Sequence, residues 1–139
     1  MSGVGIDDAT SAEELQARAG AGLSRLMEIT VADDGSLGFE YGGALCSMRA
    51  VNLSDGLDVL TLTCVLAWDR PLRPALHKRV ADRNDALQFG TISIVGHGKL
   101  ADIIMRYTFP AAGLTDAALT TMLLLILSGA ERCRKGLVP

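Results

Sequence analysis

Two strand-like segments on either side of Ser54-Asp55-Gly56 constrain the fold of this chain more than any other feature. Residues 44–53 and 57–68 are rich in strand-forming side chains, and the Ser-Asp-Gly triplet between them is typical of a tight turn. If the turn is centred on Asp55, one face of the hairpin is wholly apolar and the other is polar: Cys46 opposite Cys64, Met48 opposite Leu62 and Ala50 opposite Leu60, against Ser47 opposite Thr63 and Arg49 opposite Thr61. This pattern predicts a hairpin in an antiparallel sheet with one face in water.

Capping residues, prolines and turn glycines predict the elements around this hairpin. The predicted order is a helix from Ser11, with Glu14 completing a capping box, then a strand over 37–41, the two hairpin strands, a helix from about Pro74, strands over 88–95 and 99–109, and a helix over 115–134. Strands joined by short turns indicate an α+β domain. We expect the order α-β-β-β-α-β-β-α, with a five-stranded, mostly antiparallel sheet packed with helices.

Length and composition bound the number of domains and exclude broad functional classes. At 139 residues we expect a single domain over residues 11–139, after a flexible N-terminal tail over residues 1–10. A net charge of −3 and an aromatic content of 4% argue against a nucleic-acid partner. The apolar run from Met122 to Leu127 is far shorter than the roughly 20 residues that span a bilayer, and the N-terminus lacks a signal-peptide pattern. We therefore expect a cytoplasmic protein with no membrane partner.

The last predicted helix carries more apolar side chains than one buried face needs. On a helical wheel, a core-facing arc of about 80° holds Leu119, Met122, Leu123, Ile126, Ala130 and Cys133. Leu124 lies on the opposite, polar side, and Leu125 and Leu127 flank the core arc. Exposed apolar surface of this kind is typical of a protein interface, so Leu124, Leu125 and Leu127 are candidate dimer or partner contacts. The alternative is that the first helix or the loops cover them.

Trp68, at the end of the third predicted strand, is a further candidate for the interface. Tryptophan is enriched at interfaces and is also seldom fully buried inside a domain. The sequence leaves both roles open, a rim contact in a groove or a cover over the core. A basic run around the middle helix similarly fits a solvated helix face or a contact for an acidic partner segment: Arg70, Arg73, Lys78, Arg79 and Arg83.

The cysteines and histidines indicate no catalytic, metal or cofactor site. Three cysteines without CxxC spacing fit a reducing compartment. The facing pair Cys46 and Cys64 could be a redox switch or a soft-metal site, but two small buried hydrophobes is the favoured interpretation. His77 and His97 have no nucleophile or carboxylate at a motif-like spacing, so the sequence predicts no catalytic residue.

The segment Gly96-His97-Gly98-Lys99 has only a superficial likeness to a phosphate-binding loop. Ser93 stands where that motif needs its first glycine, and Leu100 stands where it needs Ser or Thr. A strand rather than a helix is predicted to follow, so no helix N-terminus would receive a phosphate. The segment is therefore predicted to be a hairpin turn.

The second half of the chain resembles a known family. Residues 80–137 carry the resemblance: Asn84 at the end of the middle helix, the strand QFGTISI, a glycine-bearing turn, and IIMRYTFPAAGLTDAAL leading into the last helix. These residues resemble the YbjN-like family of bacterial sensory transduction regulators, which shares a fold with type III secretion chaperones. The resemblance implies a non-enzymatic domain, commonly dimeric, that is expected to bind peptides or partner proteins.

The leading functional hypothesis is therefore a non-enzymatic, chaperone-like or regulatory module that binds a protein or peptide and acts as a homodimer. Its partner would bury apolar side chains in a groove between sheet and helices, or add a strand at a sheet edge. A second hypothesis is a small-molecule sensor or enzyme that uses this groove, although Asp102 and Arg106 would share one strand face and Tyr107 the other. A third is a structural subunit of a larger assembly.

Overall fold

The computed structural model describes residues 10–137. In that part of the chain, three helices and six strands follow one another: α1 (Ser11–Ser24), β1 (Thr30–Val31), β2 (Leu37–Tyr41), β3 (Ala44–Ser54), β4 (Leu57–Pro71), α2 (Pro74–Ala86), β5 (Thr91–His97), β6 (Leu100–Pro110) and α3 (Asp116–Arg134). The strands form one sheet in the order β1-β2-β3-β4-β6-β5, and every neighbouring pair is antiparallel. The α+β class predicted from the sequence is confirmed.

The sheet has one strand more than the five predicted. The additional strand, β1, pairs Thr30 with Gly38 and Val31 with Leu37 at the edge of the sheet. It has only two residues, both exposed. Two residues cannot show the alternation of apolar and polar side chains that identifies a half-buried strand, so the sequence carried no signal for it.

The central hairpin has the predicted register. Cys46 lies opposite Cys64, Met48 opposite Leu62 and Ala50 opposite Leu60. An irregularity between Asn52 and Ser54 shifts the pairing at the tip, where Ser54 lies opposite Leu57. The alternation of side chains therefore assigned the two faces correctly over the paired length of both strands.

The two helix starts show what a capping signal does and does not determine. Thr115 is the N-cap of α3, as predicted, and its hydroxyl accepts a hydrogen bond from the Ala118 N–H at 3.1 Å. The predicted box of Ser11 and Glu14 at the start of α1 is wrong by one residue, because Thr10 accepts from the Glu13 N–H at 3.1 Å and Glu13 reaches back to Thr10. Both pairs have the same spacing, so the sequence could not separate them. The predicted tail over residues 1–10 otherwise lies outside the described residues.

All three helices pack on one face of the sheet. Buried side chains from each helix join a single core with the inward side chains of the strands: Leu15 and Leu23 of α1, Leu76 and Val80 of α2, Leu119, Leu123, Ile126 and Leu127 of α3, and Cys46, Met48, Leu62, Cys64, Ile92, Ile103 and Met105 of the sheet. The domain therefore has two layers, with helices on one side of the sheet and no helix on the other within residues 10–137.

The structure corrects the interpretation of α3 as a helix with surplus apolar surface. Leu127 is fully buried and Leu124 is half-buried against the core, whereas Leu125 is 51% exposed. The reason is that α1 packs against α3 as well as against the sheet. Gly22 of α1 lies so close to Thr120 that a side chain there would meet its hydroxyl, and Arg18 forms an ion pair with Asp116 at 2.7 Å. The first helix covers the flank of α3 that the wheel left in water.

The packing of α3 predicts that two of its leucines, Leu127 and Leu125, contribute very differently to the free energy of unfolding. Leu127→Ala should lower the free energy of unfolding by about 2–5 kcal/mol, because it removes a fully buried side chain from a packed core. Leu125→Ala should change it by less than about 0.5 kcal/mol, because half of that side chain is already in water. Urea unfolding of both variants measures the difference, and similar losses for the two would contradict the packing described above.

Candidate functional site

The side of the sheet that carries no helix, here called the bare face, is the candidate functional surface. The strand register arranges its outward side chains in rows that run across β3, β4, β6 and β5. One row is apolar over three strands, with Leu45 opposite Val65 and Val65 opposite Ile104. On β5 the row ends at Ser93, which lies opposite Ile104, and Val95 lies in the adjacent row opposite Asp102. Val95 is 47% exposed and Leu45 is 55% exposed, so both add apolar surface to this band. An uncovered apolar row across a sheet is unusual, because a face left to solvent normally carries polar side chains.

Trp68 lies at one end of this band. Ala67 pairs with Ile103 and both are buried, so the next residue along the strand, Trp68, points to the bare face. Its side chain is 55% exposed. The sequence left Trp68 with two roles, and the structure places it at the surface rather than over the core.

Two polar rows run beside the apolar band. The first row carries Ser47, Thr63, Arg106 and Thr91, and the second carries Arg49, Thr61 and Thr108. The hydroxyls of Thr61 and Thr108 hydrogen-bond to each other at 2.9 Å. Among the described residues Arg106 has no ion-pair partner, and Arg49 reaches only Asp34, at 3.7 Å. The centre of the bare face is therefore polar and positively charged.

A second apolar row closes the bare face beyond the polar rows. It consists of Val51, Val59 and Pro110, which lie opposite one another on β3, β4 and β6. Val59 is buried, so Val51 and Pro110 are the members of the row at the surface. Leu53, at the tip of the hairpin, is 60% exposed. A hollow of about 460 Å³ lies over β5 and β6 between the two apolar rows, with Ser93, Val95, Ile104 and Arg106 in its lining. The face thus offers apolar contacts on both sides of a cationic centre.

The candidate interface residues from the sequence do not form one patch. Trp68 lies on the bare face, and Leu125 lies on the helix layer. Leu124 is half-buried and Leu127 fully buried within the helix layer. The sequence missed the apolar rows because a row joins residues that are distant along the chain, and only the pairing of four strands aligns them.

The facing cysteines lie inside the core. The Cys46 thiol donates to the Cys64 sulfur across 3.3 Å, and both residues are buried. This hydrogen bond, together with burial, raises the pKa of the Cys64 thiol far above its usual value. Because the thiolate is the reactive form, the environment disfavours redox and metal chemistry at this pair and supports the interpretation as buried hydrophobes.

The two histidines differ in their surroundings. His77 is exposed on α2. His97, at the end of β5, has its Nε2 atom 3.1 Å from Asp102 Oδ1 and 3.3 Å from Asp69 Oδ1. No partner for His97 could be predicted from the sequence, because Asp69 lies far away along the chain, in an irregular stretch of β4. The pairing of Val95 with Asp102 was the one signal that could have placed Asp102 beside His97, which lies two residues after Val95.

The groove between α1 and the sheet edge is the site that a small-molecule sensor or enzyme would use. Its volume is about 520 Å³, and Glu13, Gln16 and Arg49 lie in its wall. Gln16 is already engaged, because its amide accepts from the Ala50 N–H at 2.9 Å and donates to the Gly35 carbonyl at 2.8 Å. Asp102 and Arg106 lie on the other side of the sheet, while Tyr107 stacks on Phe109 in the core. Glu13 is hydrogen-bonded to the N-cap Thr10 and Arg49 faces Asp34 at 3.7 Å, so the polar side chains of the groove already have partners within the chain.

Comparisons with known proteins fit this architecture. Residues 12–138 match the profile of the YbjN family, described as "Putative bacterial sensory transduction regulator". A comparison with curated protein sequences finds no match for this chain. Among solved structures, the fold is similar to that titled "Crystal structure of YbjN, a putative transcription regulator from E. coli", with a TM-score of 0.51, 11% identity, and coverage of 86% of this chain and 92% of that one.

At 11% identity, the structural likeness supports the fold, and the profile match supports the family. No helix among the described residues is long and apolar enough to cross a membrane. The family description names a regulator, which agrees in general terms with a regulatory or binding role. With a profile match that extends from residue 12 to residue 138, this chain belongs to the YbjN family.

Proposed function

We propose that this chain is a non-enzymatic regulatory module that binds a segment of another protein on the bare face of its sheet. The observation that carries the proposal is the apolar row of Leu45, Val65 and Ile104, extended by Val95 and Trp68, which no helix covers within residues 10–137. Contiguous exposed apolar surface next to polar groups is typical of an interaction site. A buried tryptophan anchor is also a common source of binding energy at interfaces.

The charges of the bare face define the chemistry of the partner. Arg49 and Arg106 occupy neighbouring polar rows between the two apolar rows, and Arg106 has no ion-pair partner among the described residues. A partner segment with apolar side chains flanked by carboxylates would complement both features. A second copy stacked centre on centre would instead oppose the same positive rows, which is unfavourable.

The size of the bare face is sufficient for such a segment. Four strands at about 4.8 Å spacing and roughly nine residues at about 3.3 Å rise span about 19 Å by 30 Å, or roughly 600 Å². One side of a standard protein interface buries about 800 Å². The face is therefore suited to a helix or an extended segment of a partner, in the size range of transient regulatory contacts.

The surface proposed here differs from the one expected from the sequence. The sequence placed the partner against α3 or in a groove between sheet and helices, and α3 proves to be covered by α1. Strand addition has limited room at β5, because the Asn84 side chain bonds both the N–H and the carbonyl of Ile92, at 2.7 and 3.0 Å. The homodimer stays a prediction, for which α3 offers no broad apolar seam; light scattering of the purified chain measures it.

Site-specific photocrosslinking tests which surface meets a partner. A photoreactive phenylalanine at Thr63, in the centre of the bare face, should crosslink in native cells to a protein segment with apolar and acidic side chains. The control carries the same group at Leu125, on the opposite layer and 51% exposed. Crosslinks from Thr63 to a second copy of this chain would show that the bare face binds that copy rather than another protein. Equal yields from both positions, or a higher yield from Leu125, would refute binding at the bare face.

Binding of the crosslinked segment, made as a synthetic peptide, should depend on the side chains of the bare face. We expect Trp68→Ser and Arg106→Glu each to weaken binding by tenfold or more, because one removes an apolar anchor and the other reverses the charge. Leu125→Asp is the matched control and should bind like the unchanged chain. A fluorescent label on the peptide provides the readout for every variant, because Trp68→Ser removes the one tryptophan of the sequence. Unchanged affinity for the peptide in both bare-face variants would refute the proposal.

A further inference from the structure

Three side chains from three neighbouring strands meet at one end of the bare face, and the proposed function uses none of them. Asp69 lies near the end of β4, His97 ends β5 and Asp102 lies near the start of β6. One donor atom from each of the three lies within 4.8 Å of the other two. Oxygen and imidazole donors brought together on a rigid sheet are the material from which metal sites are built.

A simple ion pair does not satisfy this cluster. Asp69 and Asp102 each direct a carboxylate oxygen at the same ring atom, His97 Nε2, at 3.3 and 3.1 Å. That nitrogen carries at most one proton, which can form one well-directed hydrogen bond. Two carboxylates and one imidazolium also leave a net charge of −1. No Lys or Arg lies within ion-pair distance of Asp69 or Asp102 in the described part of the chain. The cluster lacks a positive charge at its centre.

The distances suit a divalent cation at that centre. Donors that bind an ion at about 2.1 Å lie about 3.0 Å apart in an octahedral arrangement and about 3.4 Å apart in a tetrahedral one. The two separations at Nε2, 3.1 and 3.3 Å, fall in this range. A cation would be shared by all three donors, whereas the single proton of Nε2 serves one carboxylate at a time.

The surroundings keep Asp102 ready to act as a ligand. The backbone N–H of Asp69 donates to Asp102 Oδ1 at 2.9 Å. The same bond fixes the position of Asp102 relative to the turn at Asp69. Hydrogen bonds of this kind orient the ligands of known metal sites.

We propose that Asp69, His97 and Asp102 form a binding site for a divalent first-row transition ion of the Zn²⁺ type. One imidazole nitrogen and two carboxylate oxygens favour such an ion over Ca²⁺, which takes six to eight oxygen ligands. Three protein ligands leave at least one coordination position for water or for a group from a bound partner. The side chains of Asp69 and His97 are 66% and 44% exposed, which gives the ion an open path.

Calorimetric titration of the chelator-treated full chain with Zn²⁺ at neutral pH tests the site. We expect one ion per chain, and a loss of affinity of tenfold or more in His97→Ala and in Asp102→Asn. His77→Ala is the matched control, because His77 is the other histidine of the chain and lies exposed on α2. Its affinity for Zn²⁺ should equal that of the unchanged chain.

A fluorescence measurement locates the ion independently of the calorimetric titration. Trp68 is the residue before Asp69, so bound Co²⁺, which is paramagnetic, should quench its fluorescence, and Zn²⁺ should reverse the quenching by competition. Undiminished Zn²⁺ binding in His97→Ala would place the ion elsewhere and would overturn the proposal. Absence of saturation at millimolar Zn²⁺ would overturn it as well, and would leave the cluster as a hydrogen-bonded ion pair.

The proposed metal site and the proposed peptide site are tested by independent measurements. Metal binding is measured on the isolated chain with the ion alone, and its variants leave Arg106 and Trp68 unchanged. Peptide binding is measured in metal-free buffer with Asp69, His97 and Asp102 unchanged. A negative result in one titration therefore says nothing against the other.

Discussion

The register between β3, β4 and β6 is the constraint on which the rest of this structure depends. Side chains on a strand point alternately to the two faces, so one pairing decides the environment of every residue on three strands. In this chain the pairing of Cys46 with Cys64 and of Cys64 with Met105 puts one apolar row in the core. A slip by one residue would bury the row of Ser47, Thr63 and Arg106 instead. The cost of burying these polar groups specifies the register and gives the helices a single face to cover.

The central position of α3 explains why its sequence is so apolar. A helix that packs on a sheet alone needs one apolar stripe, but α3 also meets α1 along the side of Gly22 and Thr120. On its other side, Gly129 approaches Leu87, which follows α2, closely enough that an added side chain would lie 3.3 Å from it. With neighbours on three sides, the helix buries Leu127 and half-buries Leu124. The place of this helix in the middle of the helix layer therefore accounts for most of its apolar excess.

The bare face and the polar cluster meet where β4 departs from regular pairing. The register shifts between Val65 and Ala67, and again between Ala67 and Arg70. Asp69 has a positive φ of 52° in this stretch, which is uncommon for a residue other than glycine. Irregularities of this kind redirect side chains and are frequent beside functional sites. Here they direct Trp68 toward the apolar band and bring Asp69 to His97, so two distinct surfaces share one stretch of strand.

The sequence by itself determined the elements and the register of the central hairpin, because both follow from local signals. Alternation over residues 45–51 and 59–65 identified the inward and outward side chains, and Thr115 identified the start of α3. The alternation failed at Ala67 and Trp68, where the register shift after Val65 reverses the two faces. Local signals also suffice for the α+β class and for the resemblance to the family. They failed for β1, which is too short to alternate, and for the cap of α1, where two equal pairs compete. Only the tertiary structure decided that α1 covers α3, that Leu45, Val65 and Ile104 form one row, and that Asp69 meets His97. Each of these depends on elements brought together from distant parts of the chain, and no periodicity within one segment encodes such contacts.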